Sequence, residues 1–204
     1  MLTEGDLEMT TKKMIVEVAK SEFIAHGYVN TTLRKIASKC NISATAIYRH
    51  FRDKEEIFQS VIQPFIDKLK RVSEEIEKTD YDLLFNNNVE QVWEFEEDRN
   101  IHFELLFTEN RPIVTLVIKE RREWLKSVLL ESEYNSTMKY LNKMKELGYK
   151  LNDFDELSYK AILDSYLEAY FHVLEMKLNK QDSFNICKTI SEFYRVGFRK
   201  LLGF

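Results

Sequence analysis

Side chains that could do covalent or metal chemistry are sparse in this chain. Its four histidines, His26, His50, His102 and His172, lie far apart, with no His-Glu-x-x-His pair, nucleophile elbow or glycine-rich phosphate loop. His102 with Glu104 and His172 with Glu168 have spacings a metal site uses, but polar residues on amphipathic helices produce such pairs by chance. No catalytic residue, metal or cofactor is therefore expected. Chemistry of another kind is concentrated between Thr31 and Lys54, in TTLRKIASKCNISATAIYRHFRDK, where hydroxylic, cationic and very small side chains follow one another closely. Such a set suits hydrogen bonding to phosphates and close approach to base edges.

Two short helices must position these groups. Leu33, Ile36, Ala37 and Cys40 recur at i, i+3, i+4 and i+7, one apolar stripe on a helix that Thr31 or Thr32 can cap, with Arg34, Lys35 and Lys39 on the other face. Asn41-Ile42-Ser43 breaks the period: Asn tolerates left-handed backbone, and Ser43 is a good N-cap for a second helix from Ala44 to Arg49. Two short helices and a tight turn make a helix-turn-helix. In that motif the second helix enters the major groove N-terminus first. Arg34, Ala44, Thr45 and Ala46 are accordingly assigned to base edges, and Thr32, Ser43, Tyr48, His50 and Lys54 to phosphates.

The ordered block Thr31-Thr32, Ile36-Ala37, Ile42-Ser43, Ile47-Tyr48-Arg49-His50-Phe51 and Lys54-Glu55-Glu56-Ile57 resembles the amino-terminal domain of the TetR family of transcriptional regulators, as does Phe23-Ile24-Ala25-His26-Gly27-Tyr28 upstream. The resemblance covers roughly residues 11 to 62; beyond them only length and helical pattern agree. It implies a regulator, most simply a ligand-responsive repressor, that reads a palindromic double-stranded DNA operator as a homodimer. Two positions depart from the family pattern. Asn41 stands where the family usually has Gly, and Thr45 replaces a usual Gly in the first turn of the reading helix, placing an extra side chain against the DNA. The rival reading is a helical small-molecule-binding or scaffold protein whose degenerate head no longer binds DNA.

Composition fits an all-α protein. Only 5 Gly and 2 Pro occur among 204 residues, with 44% hydrophobic and 31% charged. The net charge of −4 hides an asymmetry. Residues 11–54 hold nine cations (Lys12, Lys13, Lys20, Arg34, Lys35, Lys39, Arg49, Arg52 and Lys54) against Glu17, Glu22 and Asp53, a net +6, so the remainder is acidic. Cys40 and Cys187 have no metal or redox spacing, no apolar run approaches membrane-spanning length, and the start lacks the order of a signal peptide. These features predict a cytoplasmic protein with no membrane partner, in which residues 1–10 fray, 11–52 form the helix-turn-helix domain and 53–204 a helical effector-binding and dimerisation domain.

Helix one is predicted from about Thr11 to His26, closed by Gly27, and a linking helix from Asp53, where Glu56 completes a capping box. Pro64 should kink that helix or restart it. Further helices are expected over Asn88 to Arg99 and around Phe103 to Phe107, then Ile113 to Leu130 with Trp124 and Val128 in the core, an interruption at Tyr134-Asn135-Ser136, and Met138 to Leu147. The last two run from Phe154 to Leu178, capped by Asn152 or Asp153, and from Phe184 to Leu202, capped by Asp182 or Ser183. Their width of apolar residues suggests a second buried face, with Tyr170, Val173, Ile190, Phe193 and Phe198 at a dimer seam. Phe65, Trp93, Phe103, Phe107, Trp124, Tyr166 and Tyr170 are the candidates to line a pocket for an apolar or cationic effector.

Overall fold

The computed structural model of the chain describes residues 4–86, 110–176 and 178–203, with side chains from Thr10 onward. Every regular element among them is helical: α1 (Glu4–Asn30), α2 (Leu33–Lys39), α3 (Ala44–Ile47), α4 (Lys54–Phe85), α5 (Arg111–Glu146), α6 (Glu156–Glu175) and α7 (Lys180–Leu202). The chain divides into two compact units, Met1–Lys68 and Leu69–Phe204. That division falls inside α4, whereas the sequence reading puts the boundary at its start. Helix α1 begins at Glu4, within the stretch expected to fray. The expected helices over Asn88 to Arg99 and Phe103 to Phe107 lie outside the described residues.

In the first unit, Ile15, Ala19 and Phe23 of α1 meet Ile36 and Ala37 of α2, Ile47 of α3 and Ile57, Phe58 and Ile62 of α4, all buried. Phe23, Tyr28 and Phe58 close the centre as a triangle of rings 5.0 to 5.6 Å apart, two pairs edge-on. Gly27 takes φ 81°, ψ 163°, a region essentially reserved for glycine, and helical geometry stops there. Thr31 is fully buried, its hydroxyl 2.9 Å from the Gly27 carbonyl and 3.2 Å from that of Glu22, so it closes the end of α1 while Thr32 caps α2. Helix α4 opens as the sequence predicts: Asp53 Oδ1 accepts from Glu56 N at 2.8 Å. The Glu56 carboxylate reaches back to Arg52 N, also at 2.8 Å, one residue beyond the usual box partner. Pro64 does not interrupt α4, which keeps helical geometry from Lys54 to Phe85.

The second unit packs α5 against α6 and α6 against α7, around Leu84, Leu141, Met144, Tyr159, Leu163 and Leu202. Arg122 and Lys126 of α5 tie to Asp164, Glu168 and Glu175 of α6 through ion pairs of 2.5 to 3.2 Å. Arg111 donates to the carbonyls of Met176 and Leu178, satisfying groups the end of α6 leaves open. Three expectations are corrected. The irregularity in α5 lies at Arg121 (φ −146°, ψ 37°), not at Tyr134–Ser136, where Tyr134 packs on Tyr159 and beneath Lys160. Trp124 is exposed and Val128 only half-buried, because Leu125 and the turns from Ile113 to Ile118 face inward instead. The caps of α6 and α7 are Asp155, which accepts from Ser158 N at 2.8 Å, and Asn179, which accepts from Asp182 N at 2.9 Å.

Helix α5 ends in a Schellman turn, with Tyr149 N donating to Met144 O and Gly148 N to Lys145 O while Gly148 sits at φ +90°. A Cβ at Gly148 would meet nothing within 4 Å, so only backbone strain opposes a larger residue. Gly148→Ala is expected to destabilise the protein by about 1 kcal/mol and lower its melting temperature by roughly 2–4 °C in thermal denaturation. An unchanged melting temperature would show that the turn relaxes without cost.

Candidate nucleic-acid interface

The reading device is built by α2, α3 and the turn between them. Thr32 Oγ1 accepts from Lys35 N at 3.2 Å, and Ser43 Oγ accepts from Ala46 N at 3.1 Å, so both helices carry side-chain caps. Asn41 takes the left-handed conformation, φ +53°, as its residue type predicts. Around it, Ile42 N donates to Ala37 O at 3.0 Å and Asn41 N to Ser38 O at 3.2 Å, a Schellman turn with Asn in the glycine position. Regular helix in α3 ends at Ile47 rather than Arg49: Arg49 N and His50 N bond three residues back, a tighter winding that carries the chain to Phe51. Ile47 and Phe51 are buried, which fixes the opposite side of α3 outward.

On that outward side the structure places Thr45 and Tyr48 exposed, with Ala44, Ala46 and His50 partly so; Thr32, Arg34 and Ser43 are exposed or partly exposed on the adjoining elements. Two of these groups do internal work as caps, leaving Ser43 and Thr32 one hydroxyl hydrogen each for a phosphate. Lys54 sits differently from its expected place. Its ammonium donates to Tyr28 O at 2.8 Å and Thr31 O at 2.9 Å and lies 4.2 Å from the Tyr28 ring, so it fastens the start of α4 to the end of α1. Its role in the head is to position the frame.

A buried carboxylate that sequence reading treats only as a count of charge stands behind α2. Glu22 is 1% exposed, yet it faces Lys35 Nζ at 2.9 Å, pairs with Lys39 and has His26 Nε2 at 3.7 Å. Hydrogen bonds from Lys35 and Lys39 hold its carboxyl down at about 2, against the opposing push of burial. The signal was present: Glu22 is i+7 from Ile15 and i+3 from Ala19, on the apolar stripe of α1. Behind the reading pair, Cys40 is also buried, which raises its thiol.

The remaining assigned residues are those of the candidate ligand pocket and dimer seam. Trp93, Phe103 and Phe107 lie outside the described residues, Phe65 is buried in the first unit, and Trp124 is exposed on α5. Tyr166 and Tyr170 fill the α6–α7 seam, rings 5.0 Å apart, with the Tyr170 hydroxyl 2.6 Å from Ser191 Oγ. Tyr170 is thereby partly buried within the chain, and Val173, 2% exposed, belongs to the chain's own core. Ile190 and Phe198 are half-buried, Phe198 against Tyr159 and Tyr194, whereas Phe193 is 75% exposed.

Residues 15–61 match the family model described as bacterial regulatory proteins, tetR family. They span the whole of this constellation, from the stripe of α1 through the reading turn to the core of α4. The chain thus carries a TetR-family DNA-binding domain at its head. Among TetR-family relatives, it is 26% identical to the HTH-type transcriptional regulator YhgD of Bacillus subtilis over 71% of this chain and 72% of that protein. It is 37% identical to the HTH-type transcriptional repressor AcnR of Corynebacterium efficiens, there over only 26% of this chain and 29% of that protein. Solved TetR-family regulators from Pectobacterium atrosepticum (TM-score 0.57, covering 100% of this chain and 99% of that one) and Mesorhizobium loti (TM-score 0.53, 100% of both), each at 19% identity, share the fold along the whole chain. The first unit is thus the DNA-binding head of a transcriptional regulator.

Glu22 gives this head a defined acid response. Its folded pKa of about 2 lies below the ordinary 4.5, so its stabilising contribution is complete above pH 4.5 and is lost as the pH falls from there toward 2. Urea midpoints measured from pH 7 to pH 2 should show wild type well above Glu22→Gln at neutral pH, with the two converging below pH 4.5. A constant gap across that range would contradict the assignment.

Proposed function

We propose that the chain is a homodimeric, ligand-responsive repressor of the cytoplasm, reading a palindromic operator with Arg34, Ala44, Thr45 and Ala46 at base edges and Thr32, Ser43, Tyr48 and His50 at phosphates. The observation that carries this reading is the capped, outward-facing α3, small at its first turn and flanked by exposed Tyr48 and Arg49 and by Arg34. Small or polar residues in the first turn let the reading helix reach the bases, and phosphate donors at its borders fix the register. Genomic-fragment selection with the purified protein, followed by footprinting, tests the reading. With about eight phosphate contacts per dimer, log K against log salt should slope near roughly −7. Thr45→Gly should alter base preference at one position of each half-site in a randomised library, and Tyr48→Phe should weaken all sequences alike. Loss of binding without change in preference for Thr45→Gly would remove Thr45 from the reading face.

Dimerisation is supported by the outer face of α6 and α7, where Ala161 and Ile162 join Phe193, Val196 and Gly197 around one open, mainly apolar depression. Phe193 and Val196 are 75% and 64% exposed, a cost an isolated chain has no reason to bear, and a Cβ added at Gly197 would meet nothing within 4 Å. Small residues beside large exposed ones suit antiparallel packing of two such helix pairs into a four-helix bundle. Phe193→Glu and Val196→Glu should each give monomers in sedimentation with the helical circular dichroism retained, since neither side chain supports the chain's own core. A folded dimer in both variants would move the interface elsewhere.

A further inference from the structure

A cavity of about 320 Å³ lies between α4 and α5 within the second unit, away from the reading head in sequence and distinct from the aromatic residues first considered for a ligand. Its α4 wall runs from Lys70 through Glu74 and Glu77 to Asp80, one acidic residue on each successive turn, and its α5 wall contributes Glu133, hydroxyl side chains and Tyr140. Four carboxylates thus face one lysine. Glu77 is paired with Lys139 at 3.3 Å, but Glu74 and Glu133 have no ion pair among the described residues.

A second observation points into the same place. Tyr140 is 7% exposed, and its hydroxyl oxygen is enclosed with no hydrogen-bond partner among the described residues. A buried hydroxyl without a partner bears the full loss of its hydration, and native structures keep few such groups. Burial, first, and the nearby Asp80 carboxylate, second, push this phenol up, so it remains protonated and able to accept from an ammonium through its oxygen.

The shape of the acidic lining selects the kind of cation. No group of three metal-ligating side chains among the described residues is close enough to hold a metal ion. The carboxylates are instead strung along helix walls, and the stretch of α4 from Lys70 to Asp80 extends about 15 Å at the rise of an α-helix. An elongated molecule with charges separated by methylenes matches that spacing, its apolar links lying along Ile76 and the Tyr140 ring.

We propose that this cavity binds a linear organic polycation of the polyamine class, with Glu74, Glu77, Asp80 and Glu133 meeting its ammonium groups and the Tyr140 hydroxyl accepting a hydrogen bond from one of them. It names the effector class for the ligand-responsive regulator and rests on that reading for its regulatory meaning, while the binding itself does not. Spermidine, titrated calorimetrically into the full-length protein at 0.15 M salt, a concentration that screens diffuse surface charge to about 8 Å, is the probe. Saturable binding, weakened roughly tenfold or more by the double variant Glu74→Gln/Glu133→Gln and by Tyr140→Phe, is the expected result. Tyr140→Phe should also raise the melting temperature of the unliganded protein, by on the order of 2 °C, because it deletes a hydroxyl that has no partner.

The absence of saturable binding, or binding indifferent to both variants, would overturn the assignment. So would a lowered melting temperature of unliganded Tyr140→Phe, which would reveal an internal partner for the hydroxyl, or full displacement of spermidine by equimolar magnesium. DNA affinity of the same preparations separates the two readings. Intact DNA binding without spermidine binding removes the cavity assignment alone, and spermidine binding in a protein with no DNA affinity removes the regulator reading alone.

Discussion

Glu22 sets the frame on which the reading helix depends. Withdrawing an ionised carboxylate from water is costly unless opposite charge comes with it, and Lys35 and Lys39 of α2 supply it across the α1–α2 contact. Because both lysines approach from one side, the pairing fixes the rotation of α2 about its own axis as well as its distance from α1. The Schellman turn at Asn41 then passes that orientation on to α3. The same pairing offsets one of these two positive charges and turns both lysines toward the interior carboxylate. Attraction to phosphates therefore falls more on groups such as Arg34 and Arg49, both exposed on the reading pair.

The second unit is ordered by a different principle, the concealment of tyrosine. Tyr166 and Tyr170 turn inward between α6 and α7, where Ser191 offers a small partner for their hydroxyls, while Tyr194 meets Ser165 at the edge of the outer depression. Burying a large ring requires that its polar tip be met, and serine meets it without consuming volume. With the tyrosines engaged inside the chain, the outward side of the pair is left to Ile162, Phe193 and Val196. The inner seam thus takes rings whose hydroxyls find partners, and the outer face takes side chains with no polar group to satisfy.

Local chemistry was the part legible in sequence. The caps at Thr32, Ser43 and Asp53 and the left-handed Asn41 follow from residue type and from neighbours three or four positions away, and these interactions survive whatever the rest of the chain does. Long-range partnership was not legible. Lys54 reads as a surface cation until the carbonyls of Tyr28 and Thr31, more than twenty residues upstream, are seen to converge on it. Tyr170 and Phe193 look equally suited to a seam because periodicity gives a face without saying which neighbour fills it. Pro64 shows a local rule giving way: helical residues on both sides, packed through Val61, Ile62, Phe65 and Ile66, hold the helix straight enough to continue through a missing amide hydrogen.

Cys40 and Cys187 are buried, one behind the reading turn and one within the α6–α7 pair, and burial pushes the second thiol up to about 12. A thiol in that condition is chemically silent while its surroundings stay closed and becomes reactive only when they open. The natural chain therefore carries one intrinsic reporter in each of its two units. Rates of modification at the two sulfurs, followed separately by mass, resolve the breathing of the DNA-reading half from that of the helical body without introducing any label.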